Sequence, residues 1–447
     1  MAAPGYSYLT LLEARTALAA RLEDPSFVYW TAAELNAIIV MAVRTWQALT
    51  GTYKQRASFN ISPGGGIGGS QFYDLNESAN ILEFSVTDAE IIDGVLAALL
   101  EPPLSASWTG TGQFQFSQIV SALQNRINRW LGDTGANVAV GLENVTAGPS
   151  PAQVWLPEGV LDVRRVAWVS LTDKHTTIWR DDQYAMQAFN VPGYTTPQDP
   201  PFVWGKFTTP PVGIQLYPPP LVSGSIETLV VTSGPQIGTT PAAVYDSPTI
   251  LDIPEDFVWG MTIGALSDLL SADGPMRDPE RAQYCESRYA ESAELYRMNP
   301  TLLQTQVNNV PIWSGSVFEM DAFLASWQSQ TGPPQYAGMA GHNLVAFGPG
   351  PDTDYEITMD IACNIPIPLL DGDYVQVNRG AINPLLDYCE HLACFKMAGA
   401  EFQGKDVCRQ NFYLAAALEN SRITKGSFYK SAFHLPVLRQ QAEVPRI

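Results

Sequence analysis

With 447 residues the chain is too long for one ordinary domain, and two or three packed units are expected. A formal net charge of −20 and a pI near 4.5 exclude a sequence-reading DNA interface or an anionic-membrane ligand, since like charges repel over a Debye length or more. A wall past which DNA only slides would suit such a surface, and acidity also serves plain solubility.

The five cysteines, Cys285, Cys363, Cys389, Cys394 and Cys408, are odd in number and scattered. They suggest no disulfide framework and point to a reducing compartment. The first ten residues lack the basic and apolar regions of a signal peptide, and no run approaches the roughly 18 apolar residues of a membrane span.

Taken in chain order, Leu9, Leu12, Thr16, Ala19 and Leu22 predict one face of a first helix. Thr31 and Glu34 form a capping box for a second helix, with Leu35, Ile38, Ile39, Ala42, Trp46 and Leu49 on one stripe and a stop at Gly51. Tyr53–Ile61 and Gln71–Leu75 flank the glycine-rich segment Gly64, Gly65, Gly66, Ile67, Gly68 and Gly69. They predict a β-hairpin with a mobile tip. A second capping box, Thr87 with Glu90, opens a helix over 91–100. Another helix starts at Ser117, buries Val120, Leu123, Ile127, Trp130 and Leu131, and ends near Gly132.

From about 153 to 232 the period changes to two. Strands are expected around Val163–Trp168, Ile214–Tyr217 and Ile226–Val231. Pro254, and Pro279 after Asp278, mark two returning helices. Residues 182–295 and 321–418 then present one order of features at an offset of roughly 125–140 residues: a helix start, Pro-Pro, two strands and two helices. An α+β chain is therefore expected, an amphipathic helical bundle with an inserted β-hairpin and small antiparallel β modules. Its C-terminal two-thirds would approximate a duplicated β-plus-two-helix unit. The expected domains are 1–150, 151–300 and 301–421, followed by a tail, 422–447, in which Arg422, Lys425, Lys430, Arg439 and Arg446 face the single acid Glu443.

Catalytic chemistry finds little support. The glycine-rich segment lacks the Lys-Ser/Thr end of a phosphate cradle. Cys389, His391 and Cys394 point about 140–200° apart on a helix, which suits core thiols rather than zinc. Asp352, Asp354 and Glu356 alternate like a calcium loop but lack its glycine turn, so they suggest a strand entry. Four histidines and no Gly-x-Ser-x-Gly elbow leave a hydrolase little to build on. No catalytic residue, metal ligand or cofactor is assigned.

Several stretches resemble head-to-tail adaptor (neck) proteins of podovirus-like tailed phages. They are Asp24–Leu35 running on to Ala42–Thr50, Tyr73-Asp74-Leu75, Leu156–Val160 with Arg164–Val166, Leu216–Pro219, Ile253–Trp259 with Gly264–Leu266, and Arg281–Tyr289. The similarity spans most of residues 8–298, and the module 321–420 is extra. The resemblance implies a non-enzymatic virion protein, made in the host cytoplasm, that forms a ring of about twelve subunits beneath the portal. DNA would pass through the lumen, and tail nozzle or fibre proteins would lie beyond. It also implies a C-terminal segment docked on the portal. Phe428, Tyr429 and Phe433 are the candidate anchors there, with Arg422, Lys425 and Lys430 as charge partners. The loop Gly64–Gly69 is a second candidate contact. The rival expectations are a tail nozzle or fibre-attachment protein and, from abundant carboxylates alone, a virion-associated cell-wall glycosidase.

Overall fold

The computed structural model describes residues 9–424 apart from 76–84, 100–112, 149–151, 171–173, 182–195, 199, 208–210, 299–301, 325 and 398. Among these the helices are α1 (Leu11–Arg21), α2 (Ala32–Thr50), α3 (Asp88–Ala98), α4 (Phe116–Thr134), α5 (Pro241–Asp246) and α6 (Val258–Ser271). They continue with α7 (Pro279–Met298), α8 (Val317–Phe323), α9 (Ile382–Cys394), α10 (Gly399–Gly404) and α11 (Asp406–Thr424). The strands are β1 (Lys54–Ile61), β2 (Phe72–Asp74), β3 (Val138–Val145), β4 (Ala152–Trp155), β5 (Val160–Val169), β6 (His175–Arg180) and β7 (Val203–Phe207). After them come β8 (Gly213–Tyr217), β9 (Gly224–Thr232), β10 (Leu302–Val307), β11 (Val310–Ser316), β12 (Tyr336–Ala340), β13 (Leu344–Gly348) and β14 (Tyr355–Ala362). The architecture is α+β.

Local sequence sets the helix ends. Thr31 and Glu34 cap α2 reciprocally, the glutamate accepting from the Thr31 N–H at 2.7 Å, and Gly51 ends the helix at φ 55°. Thr10 and Glu13 form a further box on α1. The α1 stripe is not the expected one. Leu11, Ala14, Leu18 and Ala19 are buried while Leu12 is half exposed, because α2 and α9 both press on this weakly amphipathic helix. At α3 only half of the expected box forms. Thr87 Oγ1 accepts from the Glu90 N–H, but the Glu90 carboxylate turns to the Arg44 guanidinium at 2.7 Å. Helix α4 runs past Gly132 to a left-handed Gly135, which accommodates the positive φ that other residues resist.

The strands form two seven-stranded sheets, ordered β1-β14-β10-β11-β12-β13-β2 and β3-β9-β5-β6-β7-β8-β4. The expected β1–β2 hairpin is absent. Strand β1 pairs with β14 at one edge and β2 with β13 at the other, so residues 62–71 cross between opposite edges. Alternation fits an edge strand as well as a hairpin arm, and pairing partners more than 250 positions away leave no local signal. The sheets are also mixed rather than purely antiparallel, with parallel pairs β6–β7 and β11–β12. Pairing crosses the expected borders at 150 and 300, since β3 joins β9, and β1 and β2 join strands beyond 300.

Numbered within its own sheet, each set of strands has the same order, 1-7-3-4-5-6-2, with its parallel pair at the same place. The chain enters an outer unit (10–75), completes an inner unit (86–298), and returns to the outer one (302–424). In the inner unit α3 and α4 precede the strands and α6 and α7 follow them. In the outer unit α1 and α2 precede, and α9 and α11 follow. Residues 182–295 and 321–418 therefore lie in different units, and neither stretch completes a sheet alone.

The helices of both units share one apolar core, with Trp46, Trp130 and Trp259 fully enclosed. Each sheet keeps a core of its own. A fourth cluster joins Val138 and Leu229 of the inner sheet to Phe72, Met320 and Trp327 of the outer unit. At about 25 cal/mol per Å² of apolar surface, such side chains contribute roughly 1.5–3 kcal/mol each. The two units are thus packed together, not strung on a linker.

Candidate interaction surfaces

The groups that first suggest chemistry are occupied by the fold. The His391 Nε2 lies 2.9 Å from the Tyr284 hydroxyl and its Nδ1 3.2 Å from the Lys405 carbonyl. Burial, reinforced by Arg409 and Arg288, pulls its pKa down to about 3, so the ring stays neutral. Burial likewise raises the thiols, Cys285 to about 12 and Cys363 and Cys394 to about 11, and pushes Cys389 upward. Thiols held protonated are poor nucleophiles and poor metal ligands. Among the described residues no three His, Cys, Asp or Glu side chains gather as metal ligands. Asp352 accepts from the Tyr355 hydroxyl at 2.7 Å where β14 begins, so the alternating acids stand at a strand entry. No described helix is long and apolar enough to cross a membrane.

What the polar residues build is the junction between the units. Arg165 on β5 reaches Asp321 of α8 through Nε and Nη2, at 2.6 and 3.0 Å, and also binds Gln328 at 2.7 Å and Glu227 at 3.2 Å. Thr177 adds a bond to Asp321 at 3.0 Å. Arg288 on α7 is fully buried, paired with Glu291 and donating to the Tyr388 hydroxyl at 2.6 Å, its guanidinium over Trp259 and Tyr413. Arg44 of α2 lies between Glu90 and Glu255 of the inner unit, beside Asp256, whose Oδ1 accepts from the Ile365 N–H at 3.3 Å. Burial drives the Asp256 carboxyl well above the usual range, Ile365 and Arg44 countering. Sequence reading missed all three clusters. Each joins residues 100 or more positions apart, and single charges in an acidic chain carry no signal of partnership.

An apolar cleft of about 100 Å³ lies at the same junction, lined by Ile38, Met41, Ala98, Ile263, Leu266 and Leu392. The charged residues that line it, Glu34 and Lys396, are paired with each other at 3.2 Å. It belongs to the packing between the two bundles.

The expected contact residues fare differently. Gly64, Gly65 and Gly69 are exposed, but Ile67–Gly69 fold into a 3-10 turn with Ile67 against the cluster that joins the sheets. A Cβ on Gly66 would meet the Ser70 carbonyl oxygen at 2.2 Å, so this glycine permits a close backbone approach. Gly68 lies in the same turn. Arg422 lies in the last turn of α11. Lys425, Phe428, Tyr429, Lys430 and Phe433 fall outside the described residues. Elsewhere the surface carries large aromatics, including Trp155 stacked on Phe207 at 5.8 Å, Trp179, Phe202 and Trp313.

No curated protein matches the chain. A family model described as SU10 adaptor protein matches residues 86–311, which covers the whole inner unit and extends into β11. The stretch 24–50, which carries part of the resemblance, lies before that match. With half of its length so matched, the chain belongs to the SU10 adaptor protein family and is a phage structural adaptor.

Proposed function

We propose that this chain is the head-to-tail adaptor of a podovirus-like phage, assembling as a ring of about twelve adaptor positions under the portal and linking it to the tail. The family match over the entire inner unit carries this reading. The occupied histidine, the protonated thiols and the buried carboxylates at the unit junction support a structural role rather than catalysis. A net charge of −20 suits a lumen through which DNA slides without binding. The tail from Arg422, with Lys425, Phe428, Tyr429, Lys430 and Phe433, is the proposed portal-docking segment, and the loop Gly64–Gly69 a second contact.

Deleting residues 425–447 tests the docking segment. Truncated protein should keep its fold by circular dichroism and lose binding to purified portal. Portal binding at wild-type strength would overturn the assignment. Imaging of intact particles tests the position. Density for this chain at the tail tip or a fibre base, rather than beneath the portal, would favour a nozzle or fibre-attachment role.

A further inference from the structure

The correspondence between the two units extends beyond strand order. Helices α2 and α4 are both 19 residues long, and both end in Trp-x-x-x-Thr-Gly, at 46–51 and 130–135. Thr50 Oγ1 donates to the Trp46 carbonyl at 2.8 Å and Thr134 Oγ1 to the Trp130 carbonyl at 2.7 Å. The Gly51 and Gly135 N–H groups each donate at 2.7 Å, to Gln47 and Leu131. Helices α1 and α3 are both 11 residues long, capped by Thr10 and Thr87. These threonines bridge to Tyr374 and Ile250, just before the equivalent 3-10 turns 379–381 and 255–257. Sheet registers agree too, and Trp179 and Trp313 take the same place at the parallel pair. Such agreement in caps, register and hydrogen bonds is what a repeated unit produces, here with one copy inserted between the second and third strands of the other.

The contact between the units is not reciprocal. Helix α2 packs on the turn 255–257 and touches α6 and α7. Its counterpart α4 makes no comparable packing on 379–381, α9 or α11 among the described residues. Arg297 and Asn420 donate to the equivalent carbonyls of Asp133 and Leu49, which fixes how α7 and α11 correspond. Arg288 and Glu291 of α7 are then buried against the outer unit, whereas their counterparts Asn411 and Leu414 of α11 are exposed. Likewise Glu255 is buried under α2 while Arg379 in the matching turn is exposed. On the other face, Tyr413 is buried under Arg288, and its counterpart Ala290 is exposed. A head-to-tail contact of this kind leaves one complementary face open at each end and is satisfied only by another copy.

We infer that each chain supplies two adaptor units to one ring, and that the open α11 face of one chain receives the open α4–α7 face of the next, repeating the contact inside the chain. By the same correspondence Arg44 of α2 matches Asn128 of α4, so where the covered turn offers Glu255 to Arg44 the open turn offers Arg379 to the Asn128 side-chain carbonyl. A ring of about twelve units then needs about six chains. This inference rests on the ring reading above.

Two measurements on assembled particles decide it. Reconstruction of the neck should show six-fold symmetry with inner and outer units alternating in one layer. The double variant Ala290→Cys with Asn411→Cys, which takes the places of Tyr413 and Arg288, should give a ladder of linked chains on denaturing gels after treatment with a bis-maleimide long enough to replace those two side chains, absent from either single variant. A twelve-fold ring with the outer units stacked in a second layer would overturn the inference and leave the adaptor reading intact. So would a double variant that runs only as single chains beside a ring with wild-type symmetry. Absence of any ring at the neck would overturn both.

Discussion

Arg44 offers a direct test of how the two units are joined. It is 4% exposed and stands among Glu90, Glu255 and Asp256, three acids of the inner unit. In Arg44→Met the apolar stem is kept and the cation removed, which leaves buried carboxylates without their counter-charge. Breaking a buried pair this way costs about 3–5 kcal/mol. The Arg44 Nε and Nη2 lack hydrogen-bond partners, so part of the arginine's own desolvation is relieved, and a loss of about 3 kcal/mol at neutral pH is expected. The pH dependence gives the stricter check. Burial raises the folded-state pKa of Asp256 well above its ordinary value, so its contribution is complete below the unfolded pKa and is lost as pH rises through the folded one. Without Arg44 that folded pKa rises further. The deficit of the variant should therefore grow as pH rises above the ordinary carboxylate range and shrink towards about pH 4, measured as the difference in urea unfolding free energy from wild type. A deficit that stays constant, or grows on acidification, would refute the reasoning.

Three further outcomes follow from the same packing. Trp130→Ala should cost about 3–5 kcal/mol by urea unfolding, since the ring is fully buried against Phe257 and Tyr296 and its N–H donates to Ser292 at 3.2 Å. Gly51→Ala should lower stability by about 1–2 kcal/mol in urea unfolding, because an L-residue must then hold φ 55°. His342 is buried with its pKa depressed to about 4, so the stability it contributes is complete above about pH 6.5 and falls as pH drops through that depressed value. Melting temperatures of His342→Gln should accordingly fall less between about pH 6.5 and 4 than those of wild type; an equal fall would count against this.

Sequence alone determined most of what is local. The capping box at Thr31, the buried stripe from Leu35 to Leu49, the stop at Gly51 and the strands around Val163, Ile214 and Ile226 rest on interactions within one turn or one pleat. The occupied histidine and thiols were foreshadowed because helical geometry sends Cys389 and His391 in different directions. Tertiary structure alone decided the pairing. Nothing between residues 53 and 75 reveals that β1 and β2 lie at opposite edges of a sheet whose other strands begin at Leu302. The glycine-rich link between them therefore read as a hairpin tip. The ionic junctions at Arg44, Arg165 and Arg288 were invisible for the same reason, since an arginine's value depends on which distant acids the fold brings to it. One long-range signal was present and unread. The repeated Trp-x-x-x-Thr-Gly at 46–51 and 130–135 marks the same place in both units. It precedes the first strand of each, upstream of residues 182–295 and 321–418, and only the completed sheets show where each unit begins.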